Sequence, residues 1–418
     1  MTAAIPHDDQ AGFAELVREN VHFRRLWLGN IVSFLGDWFN TIALYSLITD
    51  LTGSAFALGA VFITKMLPWA LASPFAGLIV DRFSRRRVML TADLLRAVVV
   101  LGFLLVDEPG EVYLIYVLTT LQVVIGSVFP PAQSASIPNV TSARELLTAN
   151  ALMSATWSAL LAVGAALGGF ATALLGTKAV FLIDSASYFV SAFFIFRTVI
   201  PQDTRTTAVT VHALFREIMD GWRHLRTHPH VGRIALAKGI SAVAGGALVF
   251  MLTLLGEAIS PEAHAIGIGL LFAARGLGTG IGPILARALF KDRSRWPLLI
   301  GFGIIFSGIC YGSVGLLPWA YAIGLLITLA HATSGANWVL STVMLQHRTE
   351  DRYRGRVFAT EWLLVMLADT VSILAASLLL QSGVLDLRKG FLVFATVQIV
   401  SGLLWTMIIA PRERAVLE

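Results

Sequence analysis

Twelve long apolar stretches separated by short polar connections constrain this chain more than any other feature. They lie near 25–49, 56–80, 88–106, 112–137, 150–175, 179–199, 232–256, 264–289, 297–316, 319–344, 357–381 and 389–410. Each has the roughly 20 residues that a helix needs to cross a hydrocarbon core of about 30 Å. Within lipid the backbone must satisfy its own hydrogen bonds, so stretches of this length are helical. Composition agrees, because 56% of the 418 residues are hydrophobic and only 14% charged. Soluble domains carry about 25% charged residues. The expected class is an all-α integral membrane protein with twelve transmembrane helices.

The connections give the orientation. Of the 31 Lys and Arg, only Lys178, Arg388 and Lys389 fall in the connections of one side, and Lys65, Arg96, Lys238 and Arg275 fall within spans. The remaining 24 lie on the other side, which the positive-inside rule assigns to the cytoplasm. Both termini are then expected in the cytoplasm of a cell inner membrane. The expected organisation is a cytoplasmic segment at 1–22, a six-helix bundle at 23–199, a linker at 200–231, a second bundle at 232–410 and a tail at 411–418. An offset of about 208 residues maps the first span onto the seventh and the second onto the eighth. Parallel six-helix repeats of this kind mark one transporter architecture. In the linker, Leu214, Phe215, Ile218, Met219, Trp222 and Leu225 recur at helical spacing, opposite Arg216, Glu217, Asp220, Arg223 and Arg226. That pattern predicts an amphipathic helix on the cytoplasmic leaflet.

Several classes find no support. Residues 1–22 contain Asp8, Asp9, Glu15 and Glu19 and no apolar core, so no cleavable leader is expected. No GxxxxGK[ST] stretch is present to cradle nucleotide phosphates. The basic residues are scattered among connections instead of sharing one soluble face, which argues against nucleic acid. His228-Pro-His230 is the nearest approach to a metal-ligand pair and reads as surface linker. Gly276, Gly278, Gly280 and Gly282 lie inside a span, where small residues permit close helix contact. Cys310 is the single cysteine, so no intrachain disulfide can form. No cofactor, metal or enzymatic constellation is expected.

Charges at mid-depth carry more information, because a charge at the bilayer centre costs at least about 2.5–3.5 kcal/mol and needs a partner or a wet cavity. At 1.5 Å per residue, Asp37, Lys65, Arg275 and Asp369 all fall roughly 15–18 Å from the basic side. Lys65 is expected to pair with Asp369 or with Asp37. Asp93 and Arg96, one turn apart, are expected to pair locally, and Asp184 reads as structural. Such charges either fix the helices in register or exchange a proton during a cycle. Gln122, Lys238, His331, Asn337 and Trp338, with Phe39, Tyr45 and Phe250, are the candidate lining of a cavity with few polar anchors.

The second connection reads GLIVDRFSRRRVML, with Gly77, Asp81, Arg82, Arg85 and Arg86 at fixed spacing. It resembles the signature loop of the major facilitator superfamily. FRRLWLGNIVSFLGDW (23–38), LTGSAFALGAVF (51–62), FLIDSASYFVSA (181–192) and RGRVFA (354–359) resemble its macrolide-efflux and enterobactin-export branch. The chain departs from the drug/proton antiporter pattern at residues 112–137, which lack a basic residue, and at Gly164-Ala165 and Gly168-Gly169, where a Gly-Pro is usual; it departs from the signature loop at Ser84, where a second glycine is usual. The resemblance implies two six-helix halves that rock about a central cavity, with helices 1, 4, 7 and 10 lining it. It also implies that Asp81 faces the start of helix 11 near Gly355 and Arg356, latching the halves on the cytoplasmic side. There the free N–H groups and the helix dipole favour a carboxylate. The expected function is secondary active export of an amphipathic small molecule, drug-, macrolide- or siderophore-like, by a monomer, with coupling to protons left open. The alternatives are a lipid or lysolipid flippase, an uptake carrier, and a non-transporting membrane sensor.

Overall fold

The computed structural model describes residues 11–202, 211–290 and 292–414. Residues 1–10 of the N-terminal segment, 203–210 of the linker, Lys291 and residues 415–418 of the tail lie outside the described residues, as do the side chains of Leu214, Phe215, Glu217 and Ile218.

A short helix α1 (Phe13–Glu19) leads into α2 (Val21–Thr52) and α3 (Ala55–Arg82). The tight turn between the last two is written locally. Gly53 takes the left-handed conformation (φ 55°) that closes a helix, and the Ser54 hydroxyl accepts from the Ala57 N–H at 3.1 Å. Next come α4 (Arg85–Leu101), α5 (Val112–Gly126) and α6 (Phe129–Val140). The last two form one crossing, broken at Ser127–Val128 just before Pro130 and Pro131. Proline lacks the N–H needed to continue the ladder, yet is tolerated in a first turn.

Helix α7 (Ala143–Phe196) runs 54 residues, roughly 80 Å at 1.5 Å per residue, too long for one crossing. It breaks at Gly176, whose φ of 79° and ψ of 163° suit only glycine. Counted as two crossings, it raises the eleven apolar helices among the described residues to twelve.

The linker helix α8 (Val211–Thr227) precedes α9 (Pro229–Ile259), α10 (His264–Leu289), α11 (Trp296–Leu316), α12 (Ile323–Arg348), α13 (Asp351–Gln381), α14 (Leu387–Leu404) and α15 (Ala410–Arg414). Helix α8 docks on α13 through Gly221, where an added methyl would lie 2.5 Å from the Arg356 carbonyl oxygen. Its Leu225 is buried, while Met219 and Trp222 are exposed. Residues 411–414, expected as tail, continue the last helix. Glu413 is fully buried there and pairs with both Arg233 and Arg348, tying α15 to α9 and α12. A buried carboxylate held by two guanidinium groups is the partnered state that burial requires.

We term the face holding the α3–α4 connection the basic face and the opposite one the acidic face. The halves touch along two pseudo-equivalent seams, α7 against α10 and α3 against α13. Small residues make the first seam possible. A methyl on Gly169 would sit 2.5 Å from the Ala265 carbonyl oxygen, and one on Gly269 2.6 Å from that of Ala165. In lipid, helix association rests on such close packing in place of hydrophobic exclusion.

Candidate functional site

A cavity of about 650 Å³ lies between the halves. The N-terminal half contributes Trp38, Tyr45, Phe62, Lys65, Met66, Trp157 and Ser158 to it, and every other lining residue comes from the C-terminal half. Toward the basic face the cavity reaches Trp157 and Trp338, both exposed. The acidic face is sealed. There His264 Nε2 lies 2.7 Å from Ser46 Oγ and 3.2 Å from Asp50 Oδ1, and the Ser54 hydroxyl donates to Gln381 Oε1 at 2.8 Å. Gly59 closes against Ser377 on the same side.

The mid-depth charges divide into two groups. In the N-terminal half, Arg96 sits at the centre of a buried cluster. Its guanidinium pairs with Asp93 at 2.5 Å, lies 3.8 Å from Asp37 and stands over the Tyr188 ring at 4.3 Å. The Tyr188 hydroxyl donates to Asp37 and accepts from Gln122 Nε2 at 3.1 Å. Asp184 is fully buried alongside, packed where Gly36 leaves room.

The second group, Lys65, Arg275 and Asp369, lines the cavity. Lys65 Nζ donates to Thr41 Oγ1 at 2.8 Å. The expected Lys65–Asp369 and Asp37–Lys65 pairs do not form within 4 Å, because Asp37 is taken up by Tyr188 and Arg96. Asp369 packs instead against Gly246, where a methyl would lie 2.9 Å from its carboxylate. Tyr311 and His331, 2.7 Å apart, complete this deep end.

Of the expected lining residues, Lys238, His331, Asn337, Trp338 and Tyr45 reach the cavity. Gln122, Phe39 and Phe250 do not. Gln122 is engaged by Tyr188, Phe250 is fully buried edge-on to Phe62 at 5.7 Å, and the Phe39 backbone packs on α7 at Gly168. Sequence reasoning missed Glu361, which takes Lys238 Nζ at 3.1 Å, while the same ammonium lies 4.4 Å from the centre of the Trp338 ring. It also missed Trp362, which meets Trp338 edge to face at 5.3 Å.

The expected latch is not assembled in this conformation. Asp81 is exposed and has no ion pair among the described residues, and a methyl on Gly77 or Gly355 would meet no atom within 4 Å. Arg356 pairs with Asp220 of α8 at 3.4 Å. Arg82 is exposed. Arg85 donates to Asn139 Oδ1 and the Ala135 carbonyl, both at 2.7 Å, and Arg86 donates to the Ile195 and Phe196 carbonyls. Both arginines thus cap helix C-termini within the N-terminal half, where the dipole favours a cation.

Comparison with known proteins agrees with this architecture. Residues 26–360 match the model of the Major Facilitator Superfamily. The chain is 25% identical to the putative bacilysin exporter BacE of Bacillus amyloliquefaciens, covering 86% of this chain and 91% of that one. It is 22% identical to macrolide efflux protein A of Streptococcus pyogenes, covering 85% and 88%. A match to the uncharacterized MFS-type transporter YfiS of Bacillus subtilis, 28% identical, spans only about half the length of either chain. Among solved structures, a mutant of the peptide transporter POT superposes with a TM-score of 0.75 over 97% of both chains at 12% identity, a likeness of fold. With a model match across most of its length, twelve crossings and a cavity between two halves, this chain belongs to the Major Facilitator Superfamily.

Proposed function

We propose that the protein is a secondary active exporter of an amphipathic small molecule, working as a monomer in the cell inner membrane with both termini in the cytoplasm. The observation that carries this reading is the cavity, which reaches exposed tryptophans at the basic face while Ser46, Asp50, Ser54, His264 and Gln381 seal the acidic one. With the basic face cytoplasmic, as the placement of Lys and Arg suggests, this is the inward-facing half of an alternating-access cycle. The resemblance to bacilysin and macrolide exporters supports the outward direction. The charged cluster around Arg96, and Asp369 in the cavity, supply carboxylates for proton coupling. Lys65, Arg275, Lys238 and Asp369 in the lining make a wholly apolar lipid the poorer fit.

The test is a ligand-dependent thermal-shift screen over macrolides, siderophores, peptides and lysolipids, followed by uptake of the stabilising compound into everted vesicles. Uptake that collapses with the proton gradient is expected. Equal uptake with and without the gradient removes coupling, and a compound that stabilises the protein yet is never moved removes the transport reading.

A further inference from the structure

The cavity lining carries more cations than acids. Lys65, Lys238 and Arg275 line it against one acid, Asp369. Glu361 takes up Lys238, but neither Lys65 nor Arg275 has an ion pair within 4 Å among the described residues. Arg275 Nε is buried with no hydrogen-bond partner, and its guanidinium lies 5.8 Å from the centre of the Phe272 ring. A cation left unpaired in a site partly withdrawn from water is costly unless a partner arrives with something the site binds. A guanidinium presents its donors as a planar fork that matches a carboxylate or phosphate in two parallel hydrogen bonds. Toward the basic face the lining changes character, with Trp338 and Trp362 edge to face and Trp157 exposed.

We propose that the cavity selects amphipaths carrying an anionic head group, held by Arg275 with Lys65 beside it, and an aromatic or aliphatic body laid on the tryptophans. The proposal rests on the transporter reading above and narrows its cargo. Macrolide-like cations are disfavoured by the same charge balance. Asp369, in the same lining, offers a partner to an ammonium on the head group, so amino-acid-like and simple anionic heads both satisfy the site and are separable by experiment.

The test uses the purified full chain in dodecyl maltoside and four probes with one fluorescent body: dansylglycine (anion), Nε-dansyl-lysine (zwitterion), dansylcadaverine (cation) and dansylamide (neutral). Energy transfer from the protein's tryptophans reports bound probe and discounts probe free in micelles. Dansylglycine is expected to bind at least tenfold tighter than dansylcadaverine and dansylamide, the scale of one charge-assisted pair. Arg275→Gln erases that gap, and Arg275→Lys retains part of it. Asp369→Asn weakening Nε-dansyl-lysine alone supports an amino-acid-like head; equal affinities before and after support a simple anion. Dansylcadaverine binding as tightly as dansylglycine overturns the proposal, as does a gap that survives Arg275→Gln or the failure of every probe to saturate. The vesicle experiment stands apart from these outcomes, since active transport alongside a cation-preferring cavity would sink the anion site alone.

Discussion

Glu361 and Lys238 form a buried pair on the cavity wall, and removing one partner at a time measures what holds that wall. Lys238 is 8% exposed and Glu361 2%, with their charged atoms 3.1 Å apart. Removing one partner of a buried pair costs about 3–5 kcal/mol, because the other charge is left uncompensated. In Glu361→Gln the ammonium keeps the Trp338 ring at 4.4 Å, a contact worth about 2 kcal/mol when desolvated, and the amide oxygen still accepts a hydrogen bond. The expected loss is therefore about 1–3 kcal/mol. Lys238→Met leaves Glu361 with no cation and is expected to cost about 3–5 kcal/mol. The double variant removes both charges, so it should be more stable than Lys238→Met alone, with a coupling of about 2 kcal/mol. Cys310, the single buried thiol, allows a thiol-reactive dye to follow thermal unfolding in detergent. Midpoint shifts that simply add across the two single variants would refute the pairing argument.

Three further outcomes are expected. Asp81→Asn should leave expression unchanged while slowing turnover and increasing the accessibility of cysteine probes at the basic face, since the unassembled latch can only act in the opposite conformation; unchanged accessibility contradicts it. Gly176→Ala should lower the thermal midpoint by an amount corresponding to about 1–3 kcal/mol, because φ 79° with ψ 163° is closed to alanine. Gly280→Ala is the control, since its nearest neighbour would be Ser158 Cβ at 3.4 Å, and it should unfold as the parent does. His264→Ala should loosen the acidic face by removing the link from α10 to Ser46 and Asp50, read as added long distances between spin labels across that face.

The span pattern was legible because hydrophobic length is a one-dimensional property. Depth was legible too: Lys65, Arg275 and Asp369 share the cavity as their counted heights suggested. Rotation about each helix axis was not. Phe39 is one residue from Trp38, yet roughly 100° around the helix, and of the two only Trp38 lines the cavity. Side-chain reach also defeated the count. Arg96 reaches from α4 toward Asp37, which claims the partner expected of Lys65. Glu361 was overlooked because the span was begun at 357. Counted from 357 it lies only four residues in, about 6 Å from the basic side, where an acid reads as interfacial, yet it is 2% exposed and holds Lys238. The arginines of the signature loop show the same limit. Their side of the membrane could be read from charge placement, but not the helix ends that Arg85 and Arg86 cap.

The central claim is that opening one face closes the other. The direct measurement places spin-label pairs across each face in a Cys310→Ser background, at Ala55 and Ser382 on the acidic side and at Phe83 and Gln346 on the basic side. Distances are then compared with and without a Gly169→Leu wedge. A side chain at 169 would lie 2.5 Å from the Ala265 carbonyl oxygen and must part α7 from α10 at the acidic face. The account predicts that the wedge lengthens the acidic-face distance and shortens the basic-face distance together. An acidic face that opens while the basic-face distance stays as it was would contradict it.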